Sequence, residues 1–154
     1  MIQKSKIKNQ KSKLQRGFTL IELLIVISII GILATLLMAN FVGVRQRGRD
    51  GQRKSDLRQI QSALELYRAD QGSYPNPLPD CGASLVVGSS TYMQKIPCDP
   101  INSSPYLYAY SSNGTTYAII ACLENVNDSQ KDTTSVSPCD TSGVSNTSFT
   151  LQNP

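Results

Sequence analysis

Gly17-Phe18-Thr19-Leu20-Ile21-Glu22 opens the stretch whose reading decides the fold. From Phe18 to Val44 the sequence carries no Lys or Arg, and Glu22 is its one charge. At 1.5 Å per residue that run makes a helix of roughly 40 Å, against a hydrocarbon core of about 30 Å. Buried helices of soluble domains seldom sustain an apolar run past about 18 residues, so a transmembrane helix over 18–44 is the expectation. A carboxylate at the fifth position of such a run is costly unless it has a partner.

The preceding segment, 1–17, is short and basic: Lys4, Lys6, Lys8, Lys11, Lys13 and Arg16, with no acid. A secretory signal peptide is cut after its apolar region, behind small residues. Here no such site follows, and the conspicuous junction, Gly17/Phe18, lies before the run.

Arg16-Gly17-Phe18-Thr19-Leu20-Ile21-Glu22, followed by Leu23-Leu24-Ile25-Val26-Ile27, resembles the leader junction of type IV pilins and type II secretion pseudopilins. The resemblance implies that 1–17 is a prepilin leader, that a membrane-embedded prepilin peptidase cuts between Gly17 and Phe18, and that the same enzyme N-methylates Phe18. It further implies that Glu22 pairs with the Phe18 amine of a neighbouring subunit during assembly. Elementary electrostatics agrees, because a carboxylate in low dielectric favours a cationic partner.

The net charge of +4 belongs mostly to the leader: beyond it, nine basic and eleven acidic residues give −2, which does not argue for nucleic acid. The chain has no His and no Trp, so the commonest general base and metal ligand is missing. No P-loop, dinucleotide motif or nucleophile–base constellation is present, and no enzymatic activity is expected. Topology is not decided by charge, since Arg45, Arg47, Arg49, Arg53, Lys54 and Arg58 balance the six basic residues before the span. The resemblance implies a single-pass protein with its leader in the cytoplasm and its C-terminal domain outside, in a cell-envelope fibre after assembly.

The helix is expected to continue to about Ala69. Over 45–71 it becomes an amphipathic exported segment, with Leu57, Ile60, Leu64 and Tyr67 forming one apolar stripe. The basic run Arg45–Arg58 either meets lipid head groups or is a solvated face paired with Asp50 and Asp56. Gly72, Tyr74-Pro75 and Pro77 stop the helix. Pilin-like helices often carry a Pro in the membrane half; here Ala39 stands there. Residues 72–154 form a C-terminal globular domain. Within it 73–95 reads as a Pro-rich loop and linker, and Leu85-Val86-Val87 as a short helix or a strand. Tyr106, Tyr108 and Tyr110 alternate as in a strand, Ser112-Asn113-Gly114 reads as a hairpin turn, and Thr116 to Leu123 as the returning strand. The Ser/Thr/Asn-rich tail from Glu124 reads as an ordered loop and then a mobile end. The fold class is therefore α+β: a long N-terminal helix, transmembrane in its first half, on a small antiparallel sheet.

Cys81, Cys98, Cys122 and Cys139 all follow the span. Their even number suits an oxidising compartment and two disulfides. Three connectivities are possible, and Cys81–Cys98 with Cys122–Cys139 closes the shortest loops. The triplets at Asn102, Asn113, Asn127 and Asn146 arise by chance in so polar a chain, and no glycan is assigned.

Leu66-Tyr67, Asp70, Gly72, Tyr74-Pro75, Tyr92, Ile96-Pro97-Cys98-Asp99-Pro100, Asn102 and Pro105-Tyr106 narrow the resemblance to the major pseudopilin of type II secretion. That family carries calcium in its C-terminal loops, which makes Glu124, Asn125, Asn127, Asp128 and Asp132 candidate ligands of suitable hardness. A solvated loop, stabilised instead by the second disulfide, is the competing expectation. No other cofactor is expected. The implied function is that of a structural subunit of a pilin-like fibre. Its partners are copies of itself, related pilin-like subunits, the prepilin peptidase, an inner-membrane assembly platform and the membrane. The alternatives are a type IV pilin for adhesion, motility or DNA uptake, and a monomeric anchored binding protein.

Overall fold

The computed structural model describes residues 17–140 and 147–153, so the leader's six basic residues and Asn146 lie outside the described chain. The elements are one helix, α1 (Leu20–Gln71), and five strands: β1 (Leu85–Val87), β2 (Ser90–Met93), β3 (Ala109–Ser112), β4 (Tyr117–Cys122) and β5 (Ser148–Gln152). The chain divides into two compact units between Ala39 and Asn40.

In the first unit, Leu20–Met38 is long and apolar enough to cross a membrane, with a mean hydropathy of 2.8 over 19 residues and none of it buried in the protein. Its two hydroxyl side chains are satisfied within the helix. The Ser28 hydroxyl donates to the Ile25 carbonyl and the Thr35 hydroxyl to the Ile32 carbonyl, each at 2.7 Å. Such back-bonding removes the penalty a free hydroxyl would incur in hydrocarbon.

In the second unit the expected stripe is present. Leu57, Ile60 and Leu64 are buried, joined by Ala63, with Tyr67 packed at the edge. Burying each of the three large side chains stabilises by about 1.5–3 kcal/mol. Gly72 ends the helix with φ at +78°, a conformation that side chains resist, and its N–H closes the last turn on the Arg68 carbonyl at 2.8 Å. The Tyr74 N–H then donates to the Gly114 carbonyl, tying the helix exit to the β3–β4 loop.

The larger sheet is antiparallel, in the order β3-β4-β5, and β1-β2 form a separate antiparallel pair. Central β4, Tyr117-Ala118-Ile119-Ile120-Ala121-Cys122, is almost wholly apolar because both of its faces are covered. Tyr117, Ile119 and Ala121, with Leu123 beyond them, join the stripe, Tyr74, Leu85, Ile96 and Phe149 in the main core. Ile120 and Cys122 alternate to the other face, beside Cys139, Tyr106 and Ala109. Disulfides join Cys81 to Cys98 and Cys122 to Cys139, with Cα–Cα distances of 5.0 and 5.3 Å.

Two local expectations change, and one left open is decided. The tail is not a loop with a mobile end: Ser148–Gln152 pairs along β4, with Ile119 opposite Leu151 and Ala121 opposite Phe149. Phe149 and Leu151 pack on the core, and that apolar alternation outweighs the polar composition around it. The strand expected from Tyr106 starts only at Ala109, because Tyr106 and Tyr108 are drawn into contacts with α1. The Tyr106 ring lies 4.8 Å from the Arg53 guanidinium carbon, and the Tyr108 hydroxyl donates to Asp56 at 2.8 Å. Leu85-Val86-Val87, left open between helix and strand, is a strand paired with β2. The hairpin turn at Asn113 holds: its side-chain oxygen accepts the Thr115 and Thr116 N–H groups at 3.0 and 2.8 Å, and Gly114 takes φ +88°.

Candidate functional site

The residues singled out at the head of the apolar run meet at the first turn of α1. Gly17, Phe18 and Thr19 precede the helix, and Phe18 is 87% exposed. Among the described residues, no atom beyond the chain neighbours lies within 4 Å of the point where a Cβ on Gly17 would sit, so their packing does not require glycine there.

Glu22 is not the bare carboxylate its sequence position suggests. Its Oε2 accepts the Thr19 N–H at 2.9 Å and the Thr19 hydroxyl at 2.7 Å, while the Glu22 N–H donates back to Thr19 Oγ1 at 3.3 Å. Thr19-Leu20-Ile21-Glu22 is thus a capping box, which satisfies two of the backbone donors a helix start leaves open. Such a cap contributes about 1 kcal/mol to the helix. Among the described residues, Oε1 accepts no hydrogen bond. The helix therefore begins with a fixed carboxylate, one oxygen held by the cap and one free for a further donor. The T-x-x-E spacing is readable in the sequence, and it was overshadowed there by the question of a charge in an apolar run.

A second polar cluster, in the other unit, was anticipated only in the pairing of the basic run with Asp50. Arg53 is fully buried. Its Nε and Nη2 grip the two oxygens of Asp99 at 2.6 and 3.0 Å. Its Nη1 donates to Asp50 at 2.7 Å and to Glu124 at 2.8 Å. Asp50 also accepts the backbone N–H groups of Glu124 and Asn125, and Asp99 accepts that of Ile101. Arg49 completes the cluster, donating from Nε to Glu124 at 2.6 Å and from Nη2 to the same carboxylate. The hydrogen bond from Arg49 holds the Glu124 carboxyl below its ordinary range, against its burial and with help from Arg53. Every partner of Arg53 is satisfied, which a buried ion requires, so the cluster fastens loops to the helix rather than awaiting a substrate. The only sequence sign of it was the Asp50/Arg53 spacing of three. Asp56, the other acid considered as a partner for the basic run, is bonded to Tyr108.

The proposed calcium ligands do not converge. Glu124 is held by Arg49 and Arg53. Asp128 takes the Lys54 ammonium on both oxygens at 2.7 Å. Asp132 faces β5, accepting the Ser148 hydroxyl at 2.5 Å and the Thr150 hydroxyl at 2.7 Å. Asn125 accepts the Asn127 N–H at 3.2 Å. Among the described residues no group of three or more His, Cys, Asp or Glu side chains could hold a metal ion.

Comparison with known proteins follows the two units. Residues 12–38 match a family model described as the prokaryotic N-terminal methylation motif, and residues 40–136 match one described as type II secretion system (T2SS), protein G. The type II secretion system core protein G of Escherichia coli (strain K12) is 33% identical over 98 residues, and the alignment takes in 56% of this chain and 66% of that one. The protein of the same name from Dickeya chrysanthemi is 32% identical, over 65% of this chain and 72% of its own. That from Klebsiella pneumoniae is 31% identical, over 65% and 79%. No solved structure matches the chain. The second model alone covers more than half of the sequence and spans most of the stripe, the sheet and the Arg53 cluster. The apolar first helical segment, the helix-on-sheet domain and these matches lead to one conclusion: the chain belongs to the type II secretion system protein G family, the pilin-like major pseudopilins.

Proposed function

We propose that this protein is a structural subunit of a type II secretion pseudopilus, made as a precursor, cut between Gly17 and Phe18, N-methylated on Phe18 and polymerised through its N-terminal helix. The observation that carries the reading is the helix start. A capped carboxylate, Glu22, stands one turn from the junction, at the head of an otherwise uncharged span, inside the stretch that matches the methylation motif. Cleavage would turn the Phe18 amide into an amine, and a neighbouring subunit's amine is the natural donor for the open Oε1. In this reading the leader stays in the cytoplasm and the domain after the span is exported, where its two disulfides suit an oxidising compartment. The peptidase, an inner-membrane assembly platform and related pilin-like subunits are the partners.

Processing is the first test. Intact-mass measurement of the membrane-assembled form should give a chain that begins at N-methyl Phe18. Because no described residue beyond its chain neighbours crowds Gly17, its replacement by a bulky residue should leave the fold intact and full-length precursor in the membrane. An assembled form that retains residues 1–17 would overturn the reading.

A further inference from the structure

A calcium ion, which the family resemblance implies, needs about six to eight oxygen ligands at 2.3–2.6 Å. Residues 124–132 supply oxygens of the right kind, but the donors already on them are cations, hydroxyls and backbone N–H groups of this same chain. Three positive side chains of α1, Arg49, Arg53 and Lys54, fill the space between the helix and the loop that follows β4. Arg53 reaches Glu124, and Lys54 reaches Asp128, across more than seventy residues of sequence. A divalent ion entering here would have to displace a guanidinium or ammonium from each carboxylate and then sit beside it. Asp132, the remaining acid, is committed to Ser148 and Thr150 on the side of β5.

We propose that the loop between Leu123 and Cys139 is clamped by these resident cations together with the Cys122–Cys139 disulfide, and that the exported domain holds its fold without calcium. Arg53 is the centre of the clamp, since among the described residues it alone joins the helix to both Asp99 and Glu124. Lys54 fixes the far end of the loop at Asp128.

Lys131 offers a local probe. It is exposed and lies between the two bridged cysteines, so a cut after it separates fragments only upon reduction. The full chain in detergent is exposed to a lysine-specific endopeptidase in millimolar calcium or in chelator, and nicking at Lys131 is followed on reducing gels. Wild type should be nicked at the same rate in both. Arg53→Met should speed nicking by roughly tenfold or more, because three acids lose their shared partner. Lys54→Gln, a milder change near the surface, should speed it several-fold and covers the case in which Arg53→Met fails to fold. Faster nicking of wild type in chelator, saturable calcium binding by wild type in isothermal titration, or an unchanged rate in Lys54→Gln would each overturn the proposal.

Discussion

Two residues, Glu22 and Arg53, hold charge where charge is expensive, and each is made tolerable by named donors or acceptors. Glu22 rests on Thr19. Arg53 rests on Asp50, Asp99 and Glu124, whose hydrogen bonds outweigh the burial that would otherwise favour its neutral form and keep it protonated. The same contacts set an acid limit. Arg49 holds the Glu124 carboxyl below its usual range. Burial pushes Asp128 up, but Lys54 and the Gln130 N–H outweigh it and hold that carboxyl low as well. A depressed carboxyl stabilises the fold above its unfolded pKa, about 4, and that contribution is lost as pH falls through the folded value. Asp56 works in the opposite sense, raised chiefly by burial. The melting midpoint should therefore be steady from neutral pH to about 5 and fall below about 4. In Lys54→Gln the fall should be shallower; an equally steep fall there would mean that Asp128 does not contribute.

Among the elements, β5 shows best how the core is closed. Phe149 lies opposite Ala121 on β4 and packs into the main cluster. Phe149→Ala should cost about 3–5 kcal/mol, as large-to-small changes in packed cores do, seen as a drop in the denaturation midpoint. A loss within experimental error would mean that β5 is not part of the cooperative unit. The disulfides act on the same domain from the side of the unfolded chain. Each closes a loop of sequence separation 17, and removal of either should cost roughly 2–4 kcal/mol. Alkylation without reduction should label none of the four cysteines. Local signals made much of this legible: the stripe Leu57, Ile60, Leu64, the Gly72 stop, and Asn113-Gly114 each act within a few residues. β5 was hidden because Phe149 and Leu151 are two apolar positions within a Ser/Thr-rich stretch. The Arg53 cluster was hidden because its partners lie 46 and 71 residues away, and no local pattern records which of several arginines will find them.

In the whole molecule a span of apolar side chains, whose Ser28 and Thr35 hydroxyls are bonded within the helix, precedes a helix-on-sheet domain fastened by the Arg53 cluster and two disulfides. Such a chain suits a building block, and in the function proposed above its assembly turns on one contact: the Glu22 carboxylate of one copy on the Phe18 amine of the next. The capping box supplies a rival explanation for any defect at this position, since Glu22→Ala removes the cap as well as the charge. Glu22→Gln separates them, because glutamine serves in a capping box as glutamate does but carries no charge. The decisive measurement is therefore pseudopilus formation by Glu22→Gln, scored by electron microscopy of sheared fibres, with membrane insertion and leader cleavage measured in the same cells. The account predicts normal insertion, a mature N-terminus at Phe18, and fibres lost or sharply reduced, because the neighbour's amine is left without its counter-charge in a medium where that costs several kcal/mol. Wild-type fibre yield from Glu22→Gln, alongside loss of fibres in Glu22→Ala, would contradict it and reduce Glu22 to a helix cap.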